Sequence, residues 1–247
     1  MIAREVYVKK ILSESKVHDY TINPYLGCEH GCTYCYARFM KRFSGHKEAW
    51  GEFIDIKTNA PSLLKHEVER KRVGPVWVSG ICDPYQPIEK RYELTRRCLE
   101  ILIERSWPIV VQTKSPLVLR DIDILRNSRR AEVGLTITTA DDEIRRIFEP
   151  KAPPIQERIG ALEQLHSASI KTFAMIAPLL PRTEDLAEQL SGRVDYVLID
   201  RMNYHYADHV YRKYGFEDEM DDKFFMHTKV SLASAFNREG IPCRILY

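Results

Sequence analysis

The sequence predicts an α/β protein, a partial (β/α)6 TIM-like barrel with mostly parallel strands. Three observations predict it. Short, nearly continuous apolar runs rich in Val, Ile and Thr recur about six times along the 247 residues. Segments with apolar residues at helical spacing lie between them. Polar, chemistry-bearing residues fall where the runs end, the face on which such barrels carry their sites. A chain of this length can bury one substantial core, so one domain over 1–247 is expected. Its core would run from about residue 20 to 200, with 201–247 as an extension packing on or capping the barrel.

The strand segments are Tyr20–Leu26, Pro75–Gly80, Pro108–Lys114, Glu132–Thr138, Ile170–Ala177 and Val194–Asp200. Their continuous apolarity fits strands buried on both faces of a parallel sheet. After Pro87, Leu94, Cys98, Ile101 and Leu102 recur at i, i+4, i+7 and i+8, which makes one apolar helix stripe. Ile155, Ile159, Leu162 and Leu165 form a second stripe. Ser115-Pro116 marks the start of a helix through "LVLRDIDILRN". Lys65–Arg72, "KHEVERKR", reads as the solvated face of a helix. Beyond Asp200 the chain is aromatic and charged, then helical through Asn237, then closes with "PCRILY".

Charged residues make up 29% and hydrophobic residues 44%, which excludes extensive disorder. The formal charge of +2 excludes the strong basic bias of a dedicated nucleic-acid binder. No apolar run reaches the roughly 18–20 residues that span a bilayer, and "MIAREVYVKK" lacks a signal-peptide core. A cytoplasmic location is therefore expected, where thiols stay reduced. Six cysteines then point to metal or redox chemistry rather than disulfides.

Three of those cysteines, Cys28, Cys32 and Cys35, crowd into "CEHGCTYC". A structural zinc site needs four ligands, and Cys82, Cys98 or a distant His would have to complete it. A [4Fe–4S] cluster offers another account: three thiolates hold three irons and leave the fourth for a non-protein ligand.

C-x3-C-x2-C with an aromatic residue before the last cysteine resembles the signature of the radical S-adenosylmethionine (SAM) superfamily. "GCEHGCTYCYAR", "DPYQPIEKRYELTRRCLEIL", "QTKSPLVLRDIDIL", "GLTITTADDEIRRIFEPKAPPIQERIGALEQL" and "MIAPLLP" together resemble its spore photoproduct lyase-like branch, in order, from about Asn23 to Pro181. The resemblance implies an enzyme with a [4Fe–4S] cluster on Cys28, Cys32 and Cys35. SAM would chelate the unique iron and be cleaved reductively to a 5′-deoxyadenosyl radical, which abstracts hydrogen from a substrate. It implies an electron donor of reductase, flavodoxin or ferredoxin type. By family analogy the substrate class is nucleic acid.

Residue by residue, the resemblance places Ser79 and Asp83 of "SGICD" at the SAM ammonium, and Lys114 at its carboxylate. It places Thr136 near the ribose or carboxylate, and Ala177 beside the adenine. Tyr34 and Tyr36 match tyrosines near the adenine, and Tyr36 is also a candidate in radical transfer. One departure stands out. The branch's hydrogen-donor cysteine lies three residues before the aspartate, and Gly80 occupies that place here. Cys82 is the alternative candidate thiol, although in an extended segment it would face away from Gly80's side. Thymine-dimer repair is accordingly not predicted.

Other features have plainer readings. Cys98 and Cys243 are assigned to packing, and His205 and His209, at H-x3-H spacing, to the surface. Tyr204, Tyr206, Tyr211 and Tyr214 are assigned to packing and interface, and Glu149-Pro150 to the end of a helix. A zinc-stabilised nucleic-acid-binding module and a nonenzymatic Fe–S electron carrier remain the alternatives to a SAM enzyme.

Overall fold

A computed structural model describes all residues, 1–247. Eleven strands form two sheets: β1 (Ile2–Val6), β2 (Ser13–Glu14), β3 (Tyr20–Ile22), β4 (Tyr25–Leu26), β5 (Phe53–Lys57), β6 (Val76–Val78), β7 (Ile109–Thr113), β8 (Ala131–Thr136), β9 (Lys171–Ile176), β10 (Tyr196–Ile199) and β11 (Cys243–Ile245). The main sheet runs β11-β10-β9-β8-β7-β6-β3-β2, and every pairing except β2–β3 is parallel. Its two edges do not meet. The barrel is open, and all six sequence-predicted strand segments contribute to it.

Helices Leu94–Glu104 and Ile155–Ser167 cover the convex face, burying Cys98, Leu99 and Leu102 from one and Ile159, Leu162 and Leu165 from the other. The strands are less uniformly buried than their composition suggests. On β7, Ile109, Val111 and Thr113 are buried while Val110 and Gln112 are only partly so. The convex face meets helices, but the concave face borders a lumen. The closing helix, Asp222–Arg238, buries Phe225, Leu232 and Phe236 and delivers β11 to the edge beside β10.

Four local expectations need correction. The run Tyr20–Leu26 divides into β3 and β4, which lie in different sheets. Pro24 has no N–H for a ladder, and the Asn23 side chain binds the backbone of Gly80 and Ile81 instead. Past Ser115, whose side chain caps Leu117 N–H, the chain makes a 3-10 turn (Pro116–Asp121) and one short helix (Ile122–Leu125) rather than one long helix. The basic run outlasts its helix, Ala60–Glu67, where the Glu67 carboxylate turns to accept from Leu12 N–H at 2.6 Å. The sequence reading also missed β1 and β5, which pair in parallel and hold β4, so a small second sheet carries the cysteine loop. No helix is long and apolar enough to cross a membrane.

Candidate active site

The cysteine loop leaves β4 through Gly27, whose φ of +93° places it where an added Cβ would collide with the Phe53 carbonyl. Gly31 also has positive φ and lies against the backbone of Gly51. The β5 segment therefore serves as a template for the loop. Cys28 and Cys32 are buried, Cys35 is partly buried, and all three are free thiols. Burial pushes each thiol's pKa up, that of Cys32 to about 12, while Lys114 pulls against the rise at Cys32 and Cys35.

All three line one cavity of about 540 Å³ at the C-terminal ends of the main-sheet strands. That volume falls within the roughly 300–1,000 Å³ range of small-ligand clefts. Every residue singled out for SAM also lines it, Tyr34, Tyr36, Ser79, Asp83, Lys114, Thr136 and Ala177, and so does the candidate thiol Cys82. Trp77 and Met175, from the concave sheet face, supply apolar wall, and Gln112 between them donates to Thr136 Oγ (3.3 Å).

The segment after β6 is bent rather than extended. Asn23 Oδ1 gathers Gly80 N–H (2.9 Å), Ile81 N–H (3.0 Å) and Ser79 Oγ (3.2 Å). Cys82 Sγ consequently lies 3.3 Å from Ser79 Oγ, and Gly80 and Cys82 border the same cavity. The Cys82 thiol turns toward Ser79 and the Tyr25 carbonyl (3.5 Å), whereas the Cβ position of Gly80 faces Trp77 and Thr21. Burial raises the Cys82 thiol to about 11, with Ser79 and Lys57 drawing it back.

Asp83 is saturated with donors. Its Oδ1 accepts from Tyr85 N–H (2.9 Å) and Thr113 Oγ (2.5 Å), and its Oδ2 from Lys114 N–H (2.7 Å). His30 Nε2 lies 3.2 Å from Oδ2, off the hydrogen-bonding direction. Burial works against ionisation here, but His30, Thr113 and the Lys114 amide together hold the carboxyl at about 2. Asp83 therefore offers a cation its charge, with its lone pairs already engaged.

Glu149, assigned from sequence to a helix end, is fully buried at the centre of a network. Its Oε1 accepts from the Tyr34 hydroxyl and from Thr138 Oγ (3.1 Å), and its Oε2 from Arg158 Nη2 (2.5 Å). Lys114 Nζ lies 3.7 Å from Oε1 and 5.7 Å from the centre of the Tyr34 ring. Burial alone would raise the carboxyl, yet Arg158 and Lys114 overcome it and hold it at about 2. The sequence signal was available in Glu149 and Arg158 of "FEPKAPPIQER", but only the fold makes these two residues a pair.

At the mouth, the Tyr36 hydroxyl donates to the Gly80 carbonyl and so links the cysteine loop to the wall after β6. The Tyr36 ring stacks on Tyr204 (6.0 Å) and Tyr204 on Tyr206 (5.9 Å), and Arg38 lies over Tyr206. Tyr211 is core, packed on Phe148, and Tyr214 is exposed. His205 and His209 are exposed, and His205 pairs with Asp208. Cys98 is buried among apolar side chains and Cys243 lies partly buried on the edge strand. No three His, Cys, Asp or Glu side chains close around a single ion.

The radical SAM superfamily model matches residues 22–190, more than half of the chain. The chain belongs to the radical SAM superfamily. Among its relatives, an uncharacterized protein of Methanocaldococcus jannaschii is 36% identical over 184 residues, 74% of this chain and 69% of that protein. The chain spans about half the length of its mycobacterial relatives, 52% at 30% identity. A radical SAM Nalpha-GlyT isomerase of Pseudomonas phage M6 is 24% identical over 72% of this chain and 35% of its own length. Among solved structures, spore photoproduct lyase complexed with dinucleoside spore photoproduct superposes with a TM-score of 0.73, covering 99% of this chain and 82% of the lyase at 15% identity. Streptococcus suis SuiB bound to S-adenosylmethionine superposes at 0.62, with 92% and 50% coverage and 12% identity. These likenesses establish the open-barrel fold. Superfamily membership makes the chain an enzyme of SAM-dependent radical chemistry.

Proposed function

We propose that this radical SAM enzyme carries a [4Fe–4S] cluster on Cys28, Cys32 and Cys35 and binds SAM across the cavity they line. The observation that carries this reading is the convergence of three free thiols, the Asp83 carboxylate and the Lys114 ammonium on that cavity. When bound, the cluster supplies the electron, received from a reductase, flavodoxin or ferredoxin, that cleaves SAM to methionine and a 5′-deoxyadenosyl radical.

The chain's own residues bind and orient. Asp83 and Ser79 face the SAM ammonium, and Lys114 neutralises the carboxylate. Thr136 lies near the ribose or carboxylate, and Ala177 and Tyr34 lie against the adenine. Trp77 and Met175 exclude water. Cys82 and Tyr36 are the candidates for returning a hydrogen atom to the substrate. The core, about 20–200, holds these groups, while residues 201–247 cap the opening through Tyr204.

Nucleic acid is the proposed substrate class. The basic groove beside the mouth, with Arg38, Lys41, Arg42 and Tyr206, supports it. A structural neighbour, spore photoproduct lyase, is solved in complex with a dinucleoside spore photoproduct, which is in keeping with this class. A zinc module or an electron carrier has no use for an acid and an ammonium facing a cavity of this size.

The test is anaerobic reconstitution with iron and sulfide, then dithionite and SAM. About four irons with acid-labile sulfide and formation of 5′-deoxyadenosine are expected. One zinc per chain, or an intact cluster with no SAM cleavage, would overturn the proposal. Binding of a single-stranded oligonucleotide should weaken with salt and with Lys41→Glu/Arg42→Glu.

A further inference from the structure

Glu149 neither lines the cavity nor belongs to the residues placed around SAM, yet it contacts two that do. A fully buried carboxylate costs several kcal/mol in lost hydration unless it is paired and hydrogen-bonded. Here the pairing is unequal. Arg158 makes the short contact, 2.5 Å, from behind, and its other nitrogens donate to the Pro153 and Thr136 carbonyls. Arg158 is fully buried, so its charge is committed to this network. Lys114 stands on the other side at 3.7 Å, outside hydrogen-bonding range, on the cavity wall. One carboxylate thus faces two cations and leaves one net positive charge, which sits at the cavity on Lys114.

The same carboxylate fixes the cysteine loop. It accepts from the Tyr34 hydroxyl, one residue before Cys35, while the adjoining Phe148 carbonyl accepts from Thr33 N–H at 2.9 Å. The end of helix Asp142–Phe148 therefore holds residues 33 and 34 and aims Lys114 at once.

We propose that Glu149 is a positioning residue, which, with Arg158 behind it, holds Lys114 as the anchor for the SAM carboxylate and ties that anchor to the cysteine loop. The inference rests on the SAM-binding reading above.

A double-mutant cycle separates this from a structural role. Lys114→Met is made in the unmodified chain and in the neutral background Glu149→Gln/Arg158→Met, which removes the buried ion pair without leaving a lone charge. SAM binding to the reconstituted protein is read by calorimetry, and folding is followed by thermal melting. In the unmodified chain Lys114→Met should weaken SAM binding about tenfold, or about 1.4 kcal/mol. In the neutral background, where Lys114 has lost its guide, it should weaken binding less than threefold.

Equal losses in both backgrounds would overturn the proposal and leave SAM binding intact as a reading. Absence of SAM binding by the unmodified chain would overturn that reading and the proposal together. If the neutral background does not melt cooperatively, Glu149→Asp replaces it. This variant keeps the charge but withdraws the carboxylate by one methylene, and the same reduced coupling is expected.

Discussion

Asp83→Asn exchanges one buried oxygen for an amino group and leaves the side chain's shape unchanged. The carboxylate now accepts from Tyr85 N–H, Thr113 Oγ and Lys114 N–H, all within 2.9 Å. An asparagine oxygen can serve only one side. With that oxygen on Tyr85 and Thr113, its amino group confronts the Lys114 N–H, leaving a buried donor unsatisfied at a cost of about 1–3 kcal/mol. The two surviving bonds lose their charge assistance, about 1 kcal/mol each. The sum is about 4 kcal/mol, a fall in Tm of roughly 8–16 °C for a chain of this size. Calorimetry of the cluster-free protein measures it, and SAM titration of the reconstituted protein should show at least about tenfold weaker binding. A Tm within about 3 °C of the unmodified protein would refute the hydrogen-bond argument. A large fall in Tm with unchanged SAM affinity would refute Asp83 as the ammonium's partner.

Three further outcomes follow from the same geometry. Replacing Cys28, Cys32 or Cys35 singly by Ala should abolish retention of iron and acid-labile sulfide, whereas Cys98→Ala and Cys243→Ala should leave both in place. Glu149 is held at about 2, below its ordinary 4.5, so its contribution to stability is present above about pH 4.5 and lost as pH falls towards 2. Acid unfolding of the cluster-free protein, followed by circular dichroism, should therefore flatten over that window in Glu149→Gln/Arg158→Met. Gly134 lies under the Phe173 ring, where an added Cβ would overlap ring carbons. Gly134→Ala should cost about 2 kcal/mol in urea unfolding, and Phe173→Leu in that background should recover part of it.

Period and composition carried much of the architecture. Strands β6, β7, β9 and β10 fall inside apolar runs visible in the chain and β8 starts one residue before its run, because two-faced or one-faced burial leaves a local signature. The divided first strand did not, since a side-chain clamp from Asn23 to residues 80 and 81 is a long-range contact with no periodicity. β1 and β5 were invisible for a related reason. Every residue of β1 except Val6 is exposed, so no apolar pattern marks it, and it exists by pairing with β5.

The site divides in the same way. By itself the sequence determined the three-cysteine signature, since ligands within eight consecutive residues must share a loop whatever surrounds them, and it determined the superfamily. Only the tertiary structure decided what faces those cysteines. It bent the segment after β6 until Cys82 and Gly80 border one cavity, and it filled the lone pairs of Asp83 from Tyr85, Thr113 and Lys114. It also turned Glu149 from a helix terminus into the buried centre of a charge network. These outcomes depend on groups brought together from distant strands, where burial and pairing, rather than local spacing, set the energy of each charge.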